Sequence, residues 1–325
     1  MFAGQGSQYF RMGEALFQSN TTFRDVLMFL DKEACNICGC SIADMIYHQQ
    51  QAKGSAFNTL RYTHPAIYMV QYAMAKTLQE DMGIRPSCVL GSSLGEAVAA
   101  AVSGAIDPVD MLGLVMAQSA AVERHCSKGG MITILHDIAI MDTSVPLQEM
   151  DGDVTLVSVN YSGHFTLAAS AEAIDRIKTH LDQRSILYGQ FPVEYAFHSP
   201  MIEAAKYDFI GRCERVGFSR PLIPVISGFL ARQISSFNPL YLWQTVREPI
   251  RFSDSIRYLE ETGANYYIDC SPSGTLQTIC SRVINRHSAS MVYPVMSQFR
   301  QELKNLQLLR LRPDISRPAW ARNSL

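Results

Sequence analysis

Ser93 lies at the centre of Gly91-Ser92-Ser93-Leu94-Gly95, and this G-x-S-x-G spacing reads as a nucleophile elbow. The apolar run Ser87-Cys88-Val89-Leu90 leads in as a buried strand, and the small residues Glu96 to Ala101 lead out as a helix. Glycines two before and two after the serine permit the strained turn that exposes its hydroxyl. Backbone N–H groups at the start of the helix, beginning with Leu94, then face the chemistry and can hold an oxyanion. The same pentapeptide also arises by chance in Gly-Ser-rich turns, so the motif alone leaves catalysis and a plain turn about equally open.

A serine hydroxyl needs a base. Of the eight histidines, His48, His125, His180 and His287 sit among polar neighbours and read as surface residues. His136 follows a strand end, His164 lies in a Ser-Gly turn, and His64 precedes a helix-initiating proline. His198 stands apart because it follows Glu194-Tyr195-Ala196-Phe197, where a small inserted unit rejoins a larger one. A hydrogen-bonded structural role is the ordinary alternative for each of them.

The elements that must position these groups alternate up to about residue 125. A helix is expected from Thr63, with Pro65 in its first turn and Ile67, Val70, Met74 and Leu78 along one face. Another starts at Asp107-Pro108 and runs toward Val122. Between Gly130 and Pro192 the pattern becomes strand Met131–Leu135, helix Ser144–Met150, strands Val154–Val159 and Phe165–Ala169, helix Ala171–Leu181 and strand Ile186–Phe191. That β-α-β-β-α-β order is a ferredoxin-like signature. From Pro200 long helices and short apolar runs return. The expected fold class is therefore α/β: an α/β hydrolase-like large subdomain (1–128 and 193–300), an inserted ferredoxin-like small subdomain (129–192), and a C-terminal tail (301–325), with the active site in the cleft.

Composition narrows the alternatives. The chain has 325 residues, 47% of them hydrophobic and 18% charged, and a net charge of −2, which opposes a general nucleic-acid surface. No apolar run approaches a membrane span and no leader is evident, so a cytoplasmic protein with no membrane partner is expected. The cluster Cys35, Cys38 and Cys40 has no second Cys/His pair at ligand spacing, and no metal is expected; the other five cysteines suit reduced, buried thiols.

Taken with the elbow and its Glu96, the segments Phe2-Ala3-Gly4-Gln5-Gly6-Ser7-Gln8 and Ala196-Phe197-His198-Ser199-Pro200 resemble the malonyl-CoA:acyl-carrier-protein transacylase family. Tyr62-Thr63-His64-Pro65-Ala66, Ser158-Val159-Asn160-Tyr161 and Arg247-Glu248-Pro249-Ile250-Arg251-Phe252 extend the likeness to about residue 300. The resemblance implies the same two-subdomain fold and a Ser-His dyad in which Ser93 attacks an acyl thioester and His198 is its base. It also implies an oxyanion hole of the Gln5 and Leu94 N–H groups, and a histidine oriented by a backbone carbonyl, by position that of Arg251.

Departures from the family decide the expected function. Malonyl-transferring members carry an arginine on the helix after the elbow, to pair with the free carboxylate. That position is Gln118 here, and Arg124 is too far along the helix to replace it. Leaving a carboxylate unpaired in an enclosed pocket costs on the order of 3 kcal/mol, roughly a hundredfold in selectivity. Ser92 replaces a usual histidine, His64 a usual glutamine, and Tyr195 with Phe197 mixes two family patterns; with Gln118 and Asn160 these residues are expected to line the acyl pocket.

The chain is most similar to the free-standing acyl hydrolases, of the pederin type, in trans-acyltransferase polyketide pathways. That resemblance implies hydrolysis of acyl thioesters on acyl carrier proteins to remove stalled units. A trans-acting acyltransferase loading malonyl or another acyl unit, and a catalytically silent carrier-protein-binding homologue, are the two alternatives. The expected partner is the acyl carrier protein, met through a basic patch for which Arg124, Lys128 and Arg251 are candidates. No cofactor is expected, since the substrate carries its own phosphopantetheine, and the chain is expected to be a monomer.

Overall fold

Short buried runs build the sheet on which the elbow rests. The computed structural model describes residues 1–48, 57–143 and 154–312. In chain order these form α1 (Glu14–Ser19), α2 (Thr21–Cys38), α3 (Ile42–Tyr47), α4 (Leu60–Glu80), β1 (Val89–Gly91), α5 (Gly95–Val102), α6 (Pro108–His125), β2 (Gly129–Ile134) and α7 (Ile140–Thr143). There follow β3 (Val154–Tyr161), β4 (His164–Ser170), α8 (Ala171–Gln183), β5 (Tyr188–Gln190), a 3-10 turn (Pro200–Ala205), α9 (Lys206–Cys213), β6 (Val225–Ser227) and β7 (Arg232–Ile234). The chain closes with α10 (Pro239–Arg247), α11 (Phe252–Glu260), β8 (Tyr266–Asp269), α12 (Thr275–Val283), β9 (Met291–Pro294) and α13 (Glu302–Arg310).

In the large unit β1 pairs in parallel with β6, β6 runs antiparallel to β7, and β8 pairs in parallel with β9. Phe2 bridges Gly91 in parallel, while Met1 bonds to Ile268 and Cys270, so the first residues run between β1 and β8. The side chain of buried Gln71 clamps Ala3, accepting from its N–H at 2.7 Å and donating to its carbonyl at 2.9 Å. All of β1 and β6 is buried, as strands covered on both faces must be. Helix α5 is buried on every side; its alanines at 97, 99, 100 and 101 let α4 and α6 close over it.

The small unit is a four-stranded antiparallel sheet in the order β3-β4-β2-β5. That strand order, with a helix in each β-to-β crossover position, makes it ferredoxin-like. Alternation along the strands divides its labour. Ile132, Ile134, Phe165 and Leu167 face α8, packing on Ile174, Ile177 and Leu181. Met131, Val157 and Thr166 point the other way, into the cleft toward the large unit. The expected helix Ser144–Met150 lies outside the described residues, where α7 covers only 140–143.

Three expectations change. Helix α4 begins at Leu60, one turn before Thr63, so Pro65 lies inside it, in the second turn, and with no N–H to give it leaves the Arg61 carbonyl without its usual helical donor. The helical segment expected from Pro200 opens as a 3-10 turn before α9 begins. Within the expected tail, 301–325, residues 302–310 form α13, because Leu306 and Leu309 at helical spacing bury themselves in the main core; residues 313–325 lie outside the description. No described helix is long and apolar enough to cross a membrane.

Candidate active site

Steric necessity explains the elbow. Ser93 has φ 57°, in the left-handed region, which turns its hydroxyl out of the β1–α5 corner. A Cβ on Gly91 would stand 2.4 Å from the N of Glu96, and one on Gly95 only 2.0 Å from the carbonyl oxygen of Phe2. Neither position admits a side chain, because strand, helix and first residues touch there. Ser93 is therefore held where the N–H of Leu94 opens the helix. Among the described residues the N–H groups of Leu94 and Gln5 donate to no protein acceptor, and Gln5 is itself fixed by its Nε2 donating to Thr63 Oγ1 at 3.1 Å.

His198 also adopts a left-handed backbone, φ 60°, secured by its N–H donating to the Val246 carbonyl at 2.8 Å. Its Nε2 lies 2.7 Å from Ser93 Oγ, and its Nδ1 lies 2.7 Å from the carbonyl oxygen of Glu248. A carbonyl only accepts, so Nδ1 carries the proton and Nε2 is the basic nitrogen facing the serine. Burial pushes the imidazole down to about 4, opposed by the Glu248 carbonyl. It is thus neutral, and able to take a proton, throughout the neutral range.

The orienting carbonyl belongs to Glu248 and not to Arg251. The carbonyl of Arg251 is committed to starting α11, accepting from the N–H and hydroxyl of Ser255, both at 3.0 Å. Glu248 precedes Pro249 and is extended (φ −91°, ψ 160°) just past the end of α10, so its carbonyl points outward. A residue caught between a helix end and a proline is a signal readable from sequence, and it points to position 248.

A cleft of about 120 Å³ between the two units holds Ser93 and His198, with Gln5, Ser92, Asn160 and Phe197 among its lining. Most of the rest is apolar, including Met131, Val157, Phe191, Ile250, Phe252 and Ile279. Gln118 is not in that lining and borders a separate void of about 10 Å³, with Ser93, Leu94, Ala97, Met111 and Val115. It is 5% exposed and its Oε1 has no hydrogen-bond partner. No arginine or lysine lines either space among the described residues. A larger cavity of about 170 Å³, beside β8, contains no nucleophile–base pair.

Besides Gln118, two more of the expected pocket residues lie outside the cleft. His64 lies behind Phe197, ring centroids 5.4 Å apart, buried with neither ring nitrogen partnered and pushed down to about 3 by that burial. Tyr195 is buried too, but its ring lies under Lys128 Nζ at 4.5 Å and does not line the cleft. The expected basic patch is neutralised in place. Arg124 pairs with Asp208, Lys128 with Glu194, and Arg251 with Asp254, at 2.5, 2.6 and 2.9 Å. Among the described residues no group of three His, Cys, Asp or Glu side chains is arranged to hold a metal.

The model of the acyl transferase domain family matches residues 1–316. The polyketide biosynthesis acyltransferase homolog PksD of Bacillus subtilis is 38% identical over 306 residues, covering 94% of this chain and 93% of the relative. The homolog BaeD of Bacillus velezensis is 36% identical, covering 94% of each. Among solved structures, the acyltransferase domain from the second module of the salinomycin polyketide synthase superposes with a TM-score of 0.81 at 26% identity, covering 96% of this chain and 72% of that one.

Proposed function

The chain belongs to the acyl transferase domain family, and from that premise we propose that it hydrolyses acyl thioesters carried on acyl carrier proteins in polyketide biosynthesis, removing stalled acyl units. Ser93 Oγ attacks the thioester carbonyl as His198 Nε2 takes its proton. The oxyanion is held by the N–H groups of Gln5 and Leu94. The phosphopantetheine thiol leaves with the proton from His198, giving an acyl ester on Ser93. Water, deprotonated by the same nitrogen, then attacks that ester and releases the free acid.

One observation carries the hydrolytic reading: the position beside the elbow is the neutral Gln118, and among the described residues no arginine or lysine lines the spaces around Ser93. A malonyl carboxylate buried there lacks a partner, whereas an acetyl or longer monocarboxylic acyl group needs none. The phosphopantetheine arrives with the substrate, so the chemistry needs no resident cofactor or metal. The partner is a carrier protein, met by a monomeric enzyme in the cytoplasm; nucleic acid and membrane play no part.

A trans-acting transferase would use the same dyad, and a silent carrier-binding homologue would use neither residue. The test offers acetyl- and malonyl-loaded carrier protein and follows the acyl group by mass spectrometry. Free acetate with little malonate released supports the proposal. Malonyl appearing on a second carrier identifies a transferase, and absence of any Ser93 adduct identifies a silent homologue.

A further inference from the structure

We propose that Glu96 is a positioning residue for the Ser93–His198 pair, binding the helix that carries the nucleophile to the two segments that hold the histidine. The inference rests on the reading of Ser93 and His198 as the reacting pair, and adds a residue that touches neither the substrate nor the reacting atoms.

Glu96 stands three residues after Ser93 on α5 and is 0% exposed. Its partners are all neutral donors. Oε1 accepts from the N–H of Gly228 at 2.7 Å, the hydroxyl of Ser227 at 3.1 Å and the N–H of Phe229 at 3.3 Å. Oε2 accepts from the Tyr241 hydroxyl at 2.9 Å. A buried carboxylate without a counter-ion is costly, and here four convergent donors are what hold it.

Those donors come from the two supports of the histidine. Tyr241 lies on α10, whose last turn supplies the Val246 carbonyl to the His198 N–H and whose end presents Glu248 to Nδ1. Ser227 and Gly228 form the turn after β6, and they anchor the other end of the same segment. The Gly228 carbonyl accepts from Arg251 N–H at 2.7 Å, and the Ser227 carbonyl from Ser255 Oγ at 2.9 Å. A Cβ on Gly228 would stand 2.2 Å from the carbonyl of Gly91, so this turn is pressed against the elbow strand itself. One carboxylate thus sets the nucleophile helix against both ends of residues 246–251. An apolar side chain would leave four buried donors unsatisfied, and a glutamine would turn an NH₂ toward them.

The charge state of this anchor changes near neutral pH. Burial raises the Glu96 carboxyl to about 7, against the lowering effect of its donors. The titratable group facing it is Tyr241, on α10, which burial and the carboxylate keep protonated; the 227–229 turn brings only neutral donors.

The experiment measures the rate at which a small fluorophosphonate labels Ser93 from pH 5 to 9, with circular dichroism and melting to show that each variant is folded. The wild-type rate is expected to show an inflection near neutral pH. Glu96→Gln is expected to label at least tenfold more slowly and to lose that inflection, with Glu96→Asp recovering part of the rate. Tyr241→Phe removes one donor, so labelling is expected to fall a few-fold and the inflection to move upward. A folded Glu96→Gln with the wild-type rate and profile overturns the proposal. If that variant does not fold, an unchanged rate and profile in Tyr241→Phe overturns it equally. A wild-type protein whose Ser93 never labels removes the reading of the dyad itself, and this inference with it.

Discussion

His198 Nδ1 and the main-chain oxygen of Glu248 lie 2.7 Å apart, and this one contact decides which nitrogen faces Ser93. A neutral carbonyl orients the ring without supplying the charge that a carboxylate would. Burial therefore dominates and takes the imidazole down to about 4.

The sign of that shift is testable. The basic form persists below the usual histidine range, so Ser93 labelling in a Glu96→Gln background, where residue 96 does not titrate, is expected to stay level down to about pH 5. A half-fall near pH 6.5 would contradict the assignment. The same lowered value makes a stabilising contribution that is present above pH 6.5 and lost as pH falls toward 4.

Glu96 acts in the opposite sense. Its folded value, about 7, lies above the ordinary carboxyl, so its contribution to stability is complete below pH 4.5 and is lost as pH rises through 7. At about 1.4 kcal/mol per unit, the wild type should lose a few kcal/mol between pH 4.5 and 8 that Glu96→Gln does not lose. Urea unfolding of both proteins at the two pH values measures the difference.

Gln118→Arg restores a cation beside the elbow. Relative kcat/KM for malonyl- over acetyl-carrier protein is expected to rise about a hundredfold, the worth of pairing a buried carboxylate. An unchanged ratio would place position 118 outside the acyl pocket.

Gly95→Ala puts a methyl group 2.0 Å from the Phe2 carbonyl oxygen, with backbone on both sides and no flexible side chain to yield. A loss of about 3 kcal/mol or outright misfolding is expected in thermal unfolding. A wild-type melting temperature would mean that the first residues do not pack against α5.

His64 offers a gain. Its ring is buried without a hydrogen-bond partner, so His64→Leu should raise stability by about 1 kcal/mol in urea titration. A loss would show that the ring nitrogens are satisfied by something the protein side chains do not supply.

Much of this site was legible before any fold was built. The G-x-S-x-G pattern marked Ser93, because only glycine tolerates the backbone approaches seen at 91 and 95. His198 stood out by lying where the inserted unit rejoins the large one. The four strands of the insert and its helix after Ser170 were readable from strand and helix periodicities. Glu248 was not found, although its place between a helix end and Pro249 marks it; the reading by family position fell on Arg251, whose carbonyl the start of α11 has already used. His64 and Tyr195 were assigned to the pocket by motif position, yet one lies behind Phe197 and the other under Lys128. The basic candidates Arg124, Lys128 and Arg251 were chosen without sight of Asp208, Glu194 and Asp254, which pair with them across the fold or along it.

The sequence by itself singled out Ser93 and His198, which the structure brings to 2.7 Å, the ferredoxin-like character of the small unit, and the neutral Gln118. These follow from local backbone limits and side-chain chemistry, which need no neighbour to be defined. Only the tertiary structure decided which carbonyl holds His198, how Glu96 joins α5 to the turn after β6 and to α10, and which pocket candidates reach the cleft. Each of those is a contact between residues 50 to 145 positions apart, and such distances close only when the whole core packs.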